Sequence, residues 1–137
     1  MNNDFQEFLN KKSDMFEVFC DCGNKYYVFV TLAGGYSVCR TCGKKHFELS
    51  CKHCESGMTY VEGRKELDLV RNSWKCVECN DWNESIPTLV LTGYQKDEIP
   101  SEVWKENNSR KLLAGWVFKL IILVVVGSYI YFNFILK

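Results

Sequence analysis

A small β-rich domain followed by a single C-terminal transmembrane helix is the architecture that three features of this 137-residue chain predict. Eight cysteines fall into four close pairs. Stretches dense in aromatic and β-branched residues, the types that favour strands, lie beside those pairs. The last quarter is almost unbroken apolar sequence, which leaves about 110 residues for the aqueous part, little for an independent core. Domains of that size commonly recruit metals or disulfides, and eight cysteines meet the need. The expected fold class is therefore a small metal-stabilised β-rich domain plus one C-terminal transmembrane α-helix.

Residues 1–14 are a tail or a short helix; Phe5, Phe8 and Leu9 at i, i+3 and i+4 suit an amphipathic helix, and a frayed tail is the equal alternative. Acidic residues stand where a signal peptide would be basic, so the cysteines are expected in a reducing compartment, where metal ligation prevails over disulfides. A strand at residues 16–19 leads into Cys20. Residues 25–32 read as a second strand, turning at Ala33-Gly34-Gly35 into residues 36–38 and Cys39. That predicts a β-hairpin with a cysteine pair at each end. The plan repeats: strand character at 58–61, a turn at 62–65, strand character again at Leu67, Leu69 and Val70, and Ser73-Trp74-Lys75 entering Cys76. Two units, 15–48 and 49–92, follow, with residues 86–91 as a closing strand that has Pro87 near its start. Residues 93–111 form a polar connector in which a helix starts near Pro100 and is interrupted at Asn107-Asn108-Ser109.

The cysteine pairs are Cys20/Cys22, Cys39/Cys42, Cys51/Cys54 and Cys76/Cys79. Zinc takes four tetrahedral ligands, and each tight pair supplies two of them from one turn. Such a turn favours a residue at positive φ just after its second cysteine, where glycine and then asparagine fit best. Gly23, Gly43 and Asn80 stand there, and only Glu55 breaks the trend.

Residues 16–85 resemble the zinc-ribbon family, most closely at Cys39-Arg40-Thr41-Cys42-Gly43-Lys44 and Trp74-Lys75-Cys76-Val77-Glu78-Cys79. The first pair departs from the family pattern, with one intervening residue instead of two. The resemblance implies two tandem ribbons, each clamping one zinc between two knuckles. Sequential pairing puts Cys20, Cys22, Cys39 and Cys42 on one ion and Cys51, Cys54, Cys76 and Cys79 on the other. The interleaved alternative would make a cross-braced, membrane-bound RING-like ubiquitin ligase. The expected cofactors are two Zn2+, but iron suits four thiolates too, which keeps a rubredoxin-like electron carrier open. His46 and His53 are expected on the surface, and Arg40, Lys44, Lys45 and Lys52 as charges offsetting thiolate.

Residues 112–136, 25 in all, would extend about 37 Å as a helix, enough for a hydrocarbon core of about 30 Å. Lys119 is its one charge; Trp116, Tyr129 and Tyr131 fit interfacial aromatic belts. Lys105, Arg110, Lys111 and Lys119 outweigh Lys137, so a single-pass, tail-anchored chain with a cytoplasmic N-terminal domain is expected. Setting aside Lys119 and Lys137, the aqueous part has 15 bases against 17 acids, and zinc-tetrathiolate centres add further negative charge, which argues against nucleic acid. With every cysteine assigned to metal, no catalytic residue is identified. The expected function is a non-catalytic module that presents a rigid surface to a protein partner at a membrane, as an accessory subunit.

Overall fold

The structure is a computed structural model and describes residues 2–31 and 33–132. The predicted strand end at Leu32 and the last residues of the apolar run, 133–136, together with the flanking Lys137, lie outside the described residues. Two compact units divide at Ile99/Pro100, one β-rich and one helical.

The first unit opens with α1 (Asn3–Leu9), which buries Phe5 and Phe8. Both rings meet Phe29, at 5.3 and 5.5 Å between centroids, so residues 3–9 form the amphipathic helix and not a frayed tail. The Asn2 amide and the Asp4 carboxylate both hydrogen-bond the Tyr94 hydroxyl. Strands β1 (Asp14–Phe19) and β2 (Lys25–Val30) then pair antiparallel as a two-stranded sheet. A four-stranded sheet contains β3 (Gly35–Val38), β4 (Lys45–Ser50), β5 (Gly57–Val61) and the short β9 (Val90–Leu91), in the order β5-β4-β3-β9. Strands β6 (Leu67–Asp68), β7 (Ser73–Lys75) and β8 (Trp82–Glu84) make the third sheet.

Pairing differs from expectation in one instructive way. The hairpin expected between the first and second cysteine pairs does not form; each pair is itself a hairpin turn, and β6 with β7 is the hairpin that lies between pairs among the described residues. Phe19 faces Lys25 across the first knuckle, Val38 faces Lys45 across the second, Ser50 faces Gly57 across the third, and Lys75 faces Trp82 across the fourth. Strands β2 and β3, expected to pair, instead meet through side chains, with the Tyr26 hydroxyl 2.9 Å from Ser37 Oγ. The reason is that Tyr26 through Val30 are all buried, so β2 is covered on both faces and reads as a continuous apolar run. Gly34, at φ +69°, turns the chain there; an added Cβ would sit 2.6 Å from the Glu48 carbonyl oxygen. Strand β4 is the second arm of one knuckle hairpin and the first arm of the next. Only Val90 and Leu91 of the expected closing strand are extended into a ladder, and they run parallel to β3.

Among the described residues, two small apolar clusters take in cysteines. One joins Val18, Tyr26, Val28, Val30 and Leu91 to Cys20 and Cys39; the other joins Phe47, Leu49, Tyr60, Trp74 and Ile86 to Cys51 and Cys76. Each core is thus closed by the inner cysteines of one set.

The second unit is α2 (Ser101–Ile130). It runs unbroken through Asn107-Asn108-Ser109, where an interruption was expected. Asn and Ser each cost only a few tenths of a kcal/mol in a helix. The Glu106–Arg110 ion pair at i,i+4 and the Ser109 hydroxyl, donating to the Lys105 carbonyl, offset that. From Leu112 to Phe132 every large apolar side chain is exposed. By length and composition this helix is long and apolar enough to cross a membrane.

Candidate metal centres

Each knuckle is built by the same backbone bonds. The N–H of the first cysteine donates across the turn: Cys20 to Asn24, Cys39 to Lys44, Cys51 to Ser56 and Cys76 to Asp81, at 2.9 to 3.0 Å. The residue after the second cysteine donates back to the carbonyl of the first, as Gly43 does to Cys39 and Asn80 to Cys76. That return requires positive φ, and all four positions adopt it: Gly23 +89°, Gly43 +76°, Glu55 +60° and Asn80 +64°. Glu55, the exception by residue type, is no exception in conformation.

Facing hairpins bring the eight thiols into two groups. Cys20, Cys22, Cys39 and Cys42 form one, and Cys51, Cys54, Cys76 and Cys79 the other, each with its sulfurs within 4.8 Å of one another. The grouping is sequential, so the interleaved arrangement of a cross-braced domain does not occur. Sulfur separations are 3.4 Å for Cys20/Cys42, 3.6 Å for Cys22/Cys39, and 3.7 Å for both Cys51/Cys79 and Cys54/Cys76. A tetrahedron with Zn–S bonds near 2.3 Å has edges of about 3.8 Å, whereas a disulfide is about 2.05 Å. The donor sets therefore fit a tetrahedral metal ion, one per group, and soft thiolates of this kind take zinc or iron.

Burial is asymmetric. The first cysteine of each pair is buried, while Cys22, Cys42 and Cys54 are exposed and Cys79 is half-buried. Each group has an inner pair sealed against a core cluster and an outer pair facing solvent.

Two asparagines complete the sites, and sequence reasoning missed both. Asn24 Nδ2 donates to Cys39 Sγ at 3.5 Å, and Asn83 Nδ2 donates to Cys51 Sγ at 3.4 Å. Each amide comes from one knuckle hairpin and reaches the sulfur of the facing one. Asn83 is buried, and its Oδ1 accepts the Lys52 N–H at 3.0 Å, which orients the amide. The signal available was position alone: an asparagine two or four residues past an outer cysteine. Tyr60 locks the last knuckle from beneath, its hydroxyl donating to the Lys75 carbonyl and accepting the Val77 N–H.

These donors set the acidity of the thiols. Burial alone would raise Cys39, but bonds from Asn24 and from the Cys42 and Thr41 amides outweigh it and bring the thiol down to about 6. Cys51 follows the same course: burial is outweighed by the Cys54 amide, Asn83 and the His53 amide, again to about 6. Cys20 receives a bond from the Cys22 amide, yet burial and the neighbouring sulfurs push it up to about 12. In Cys79 the Asp81 amide is overcome in the same way, also to about 12. Four crowded sulfurs cannot all ionise by themselves; a bound cation is what would let them.

Neither histidine joins a group. His53 is exposed, with Nε2 3.2 Å from the Trp82 carbonyl. His46, expected at the surface, is buried in β4, its ring edge-on to Tyr26 and both nitrogens without a hydrogen-bond partner among the described residues. Burial holds its pKa below the usual histidine value. Of the basic residues near the knuckles, Arg40 pairs with Glu98, Lys44 with Asp21 and Lys45 with Glu62.

Protein-family models, curated proteins and solved structures all return no match to this chain. The two four-cysteine groups are consistent with tandem zinc-ribbon-like sites, and the likeness rests on them alone.

Proposed function

We propose that this chain is a membrane-anchored, non-catalytic zinc module whose cysteine domain faces the cytoplasm and presents a rigid surface to a protein partner. The observation that carries the reading is the saturation of the cysteines: all eight fall into two closed sets of four, which matches structural sites and not catalytic ones, where a ligand position is left open. Zinc would be held by Cys20, Cys22, Cys39 and Cys42, and by Cys51, Cys54, Cys76 and Cys79. It would supply cross-links between facing hairpins and the charge that lets crowded thiolates coexist. The chain's own residues do the rest: Asn24 and Asn83 orient and stabilise sulfur, and the two apolar clusters seal the inner cysteines. The exposed apolar length of α2 supports the anchor, and Lys105, Arg110, Lys111 and Lys119 at its start support the cytoplasmic side.

Metal analysis tests the sites. Protein purified from membranes without added metal should be colourless and carry two zinc ions per chain; coloured, iron-loaded protein would support electron transfer instead. Cross-linking in intact membranes, followed by solubilisation, should recover one partner in stoichiometric amount. Recovery of the chain by itself counts against the scaffold role.

A further inference from the structure

One face of α2 gathers basic residues around a glycine. Asn108, Lys111, Leu112, Gly115, Trp116 and Lys119 line one shallow depression along the helix. Its floor is Gly115, where an added Cβ would meet no atom within 4 Å. At 100° per residue, Lys105, Lys111 and Lys119 all fall within about 80° of Gly115, whereas Glu102 and Glu106 fall roughly 140° and 180° away. The acids thus occupy the far side, where Glu106 is already paired to Arg110. No carboxylate among the described residues pairs with Lys105, Lys111 or Lys119.

We propose that this face binds the headgroup of an anionic phospholipid, with Lys111 and Lys119 meeting the phosphate, the Trp116 indole beside the glycerol backbone, and Gly115 leaving room for it. The inference rests on the membrane reading of α2 given above. Depth agrees with it. Lys119 lies two turns inside the start of the 112–136 run, from where its long side chain can reach back to the headgroup level, and Lys111 lies about 12 Å further out along the axis. A cationic depression without a carboxylate is charge-complementary to a lipid phosphate and not to a zwitterionic headgroup. Each lysine near an anionic surface is worth on the order of fivefold in binding.

The test uses the full chain in phosphatidylcholine vesicles doped with brominated lipid, which quenches tryptophan on contact. The Trp116 signal is the difference between the wild type and W116F. Brominated phosphatidylglycerol should quench at about a fivefold to tenfold lower lipid fraction than brominated phosphatidylcholine. K111Q/K119Q should equalise the two lipids, and K111R/K119R should keep the preference. Equal quenching in the wild type, or a preference that survives K111Q/K119Q, overturns the lipid site while leaving the span intact. Absence of quenching by either lipid overturns the span and the site together.

Discussion

Asn83→Ala offers a sharp test of the metal centres because it touches one site and leaves the other as an internal control. The substitution removes the donor 3.4 Å from Cys51 Sγ and the acceptor 3.0 Å from the Lys52 amide. Loss of such an outer partner costs about 10- to 100-fold in metal affinity, or roughly 1.4–2.7 kcal/mol. Asn83 is buried, so water is poorly placed to replace it, and the effect should fall in the upper half of that range. The matching Asn24→Ala, at a half-buried position, should weaken the other site less, by about tenfold. Titrating zinc-loaded protein with a chromophoric chelator resolves two release steps. In Asn83→Ala only the step for Cys51, Cys54, Cys76 and Cys79 should shift. Removing the amide also lets the Cys51 thiol rise from about 6, so the deficit should widen as pH falls toward that value. Unchanged release, or equal loosening of both sites, would refute the role assigned to the amide.

Three further outcomes follow from the same geometry. Glu55 sits at φ +60°, so Glu55→Gly should relieve left-handed strain and raise stability by up to about 1 kcal/mol, read as a higher Tm. Protons compete with metal for sulfur, and lowered thiol pKa values keep that competition small above them; zinc affinity should therefore fall with decreasing pH and fall faster below about 6, where Cys39 and Cys51 also take up protons. A chelator competition series between about pH 5 and 8 checks the slope. Exhaustive chelation should abolish the near-ultraviolet circular dichroism of the β-rich unit while sparing the far-ultraviolet signal of α2, because structural zinc contributes about 10–16 kcal/mol against a net stability of about 5–15 kcal/mol.

The knuckles were legible because their geometry is local: a pair of cysteines and the residue after it determine a turn. Gly23, Gly43 and Asn80 announce that turn by type, and even Glu55 is forced into it by the carbonyl of Cys51, which its amide must reach at 2.9 Å. Partners across space were not legible. Density in aromatic and β-branched residues marks residues 25–32 and 36–38 as strands but does not say which neighbour each takes, and two-sided burial of β2 was decided by α1 and Tyr94 from distant parts of the chain. The same holds for Asn24 and Asn83, whose value lies in the facing hairpin, and for His46, whose burial depends on Tyr26 packing over β4. Residues 107–109 misled in the opposite direction, because local propensity was weaker than the helix around it.

Strand β4 has an electrostatic consequence. It joins the second knuckle at one end to the third at the other, and its six residues rise about 20 Å. Each metal-filled centre carries a formal −2, since four thiolates surround one divalent ion. Salt at cellular strength screens charge over about 8 Å, less than half the rise of the strand that joins the two knuckles. A chain of this size can thus carry two dianionic clusters without the repulsion that would set one against the other. The extended backbone between them works as an insulating spacer.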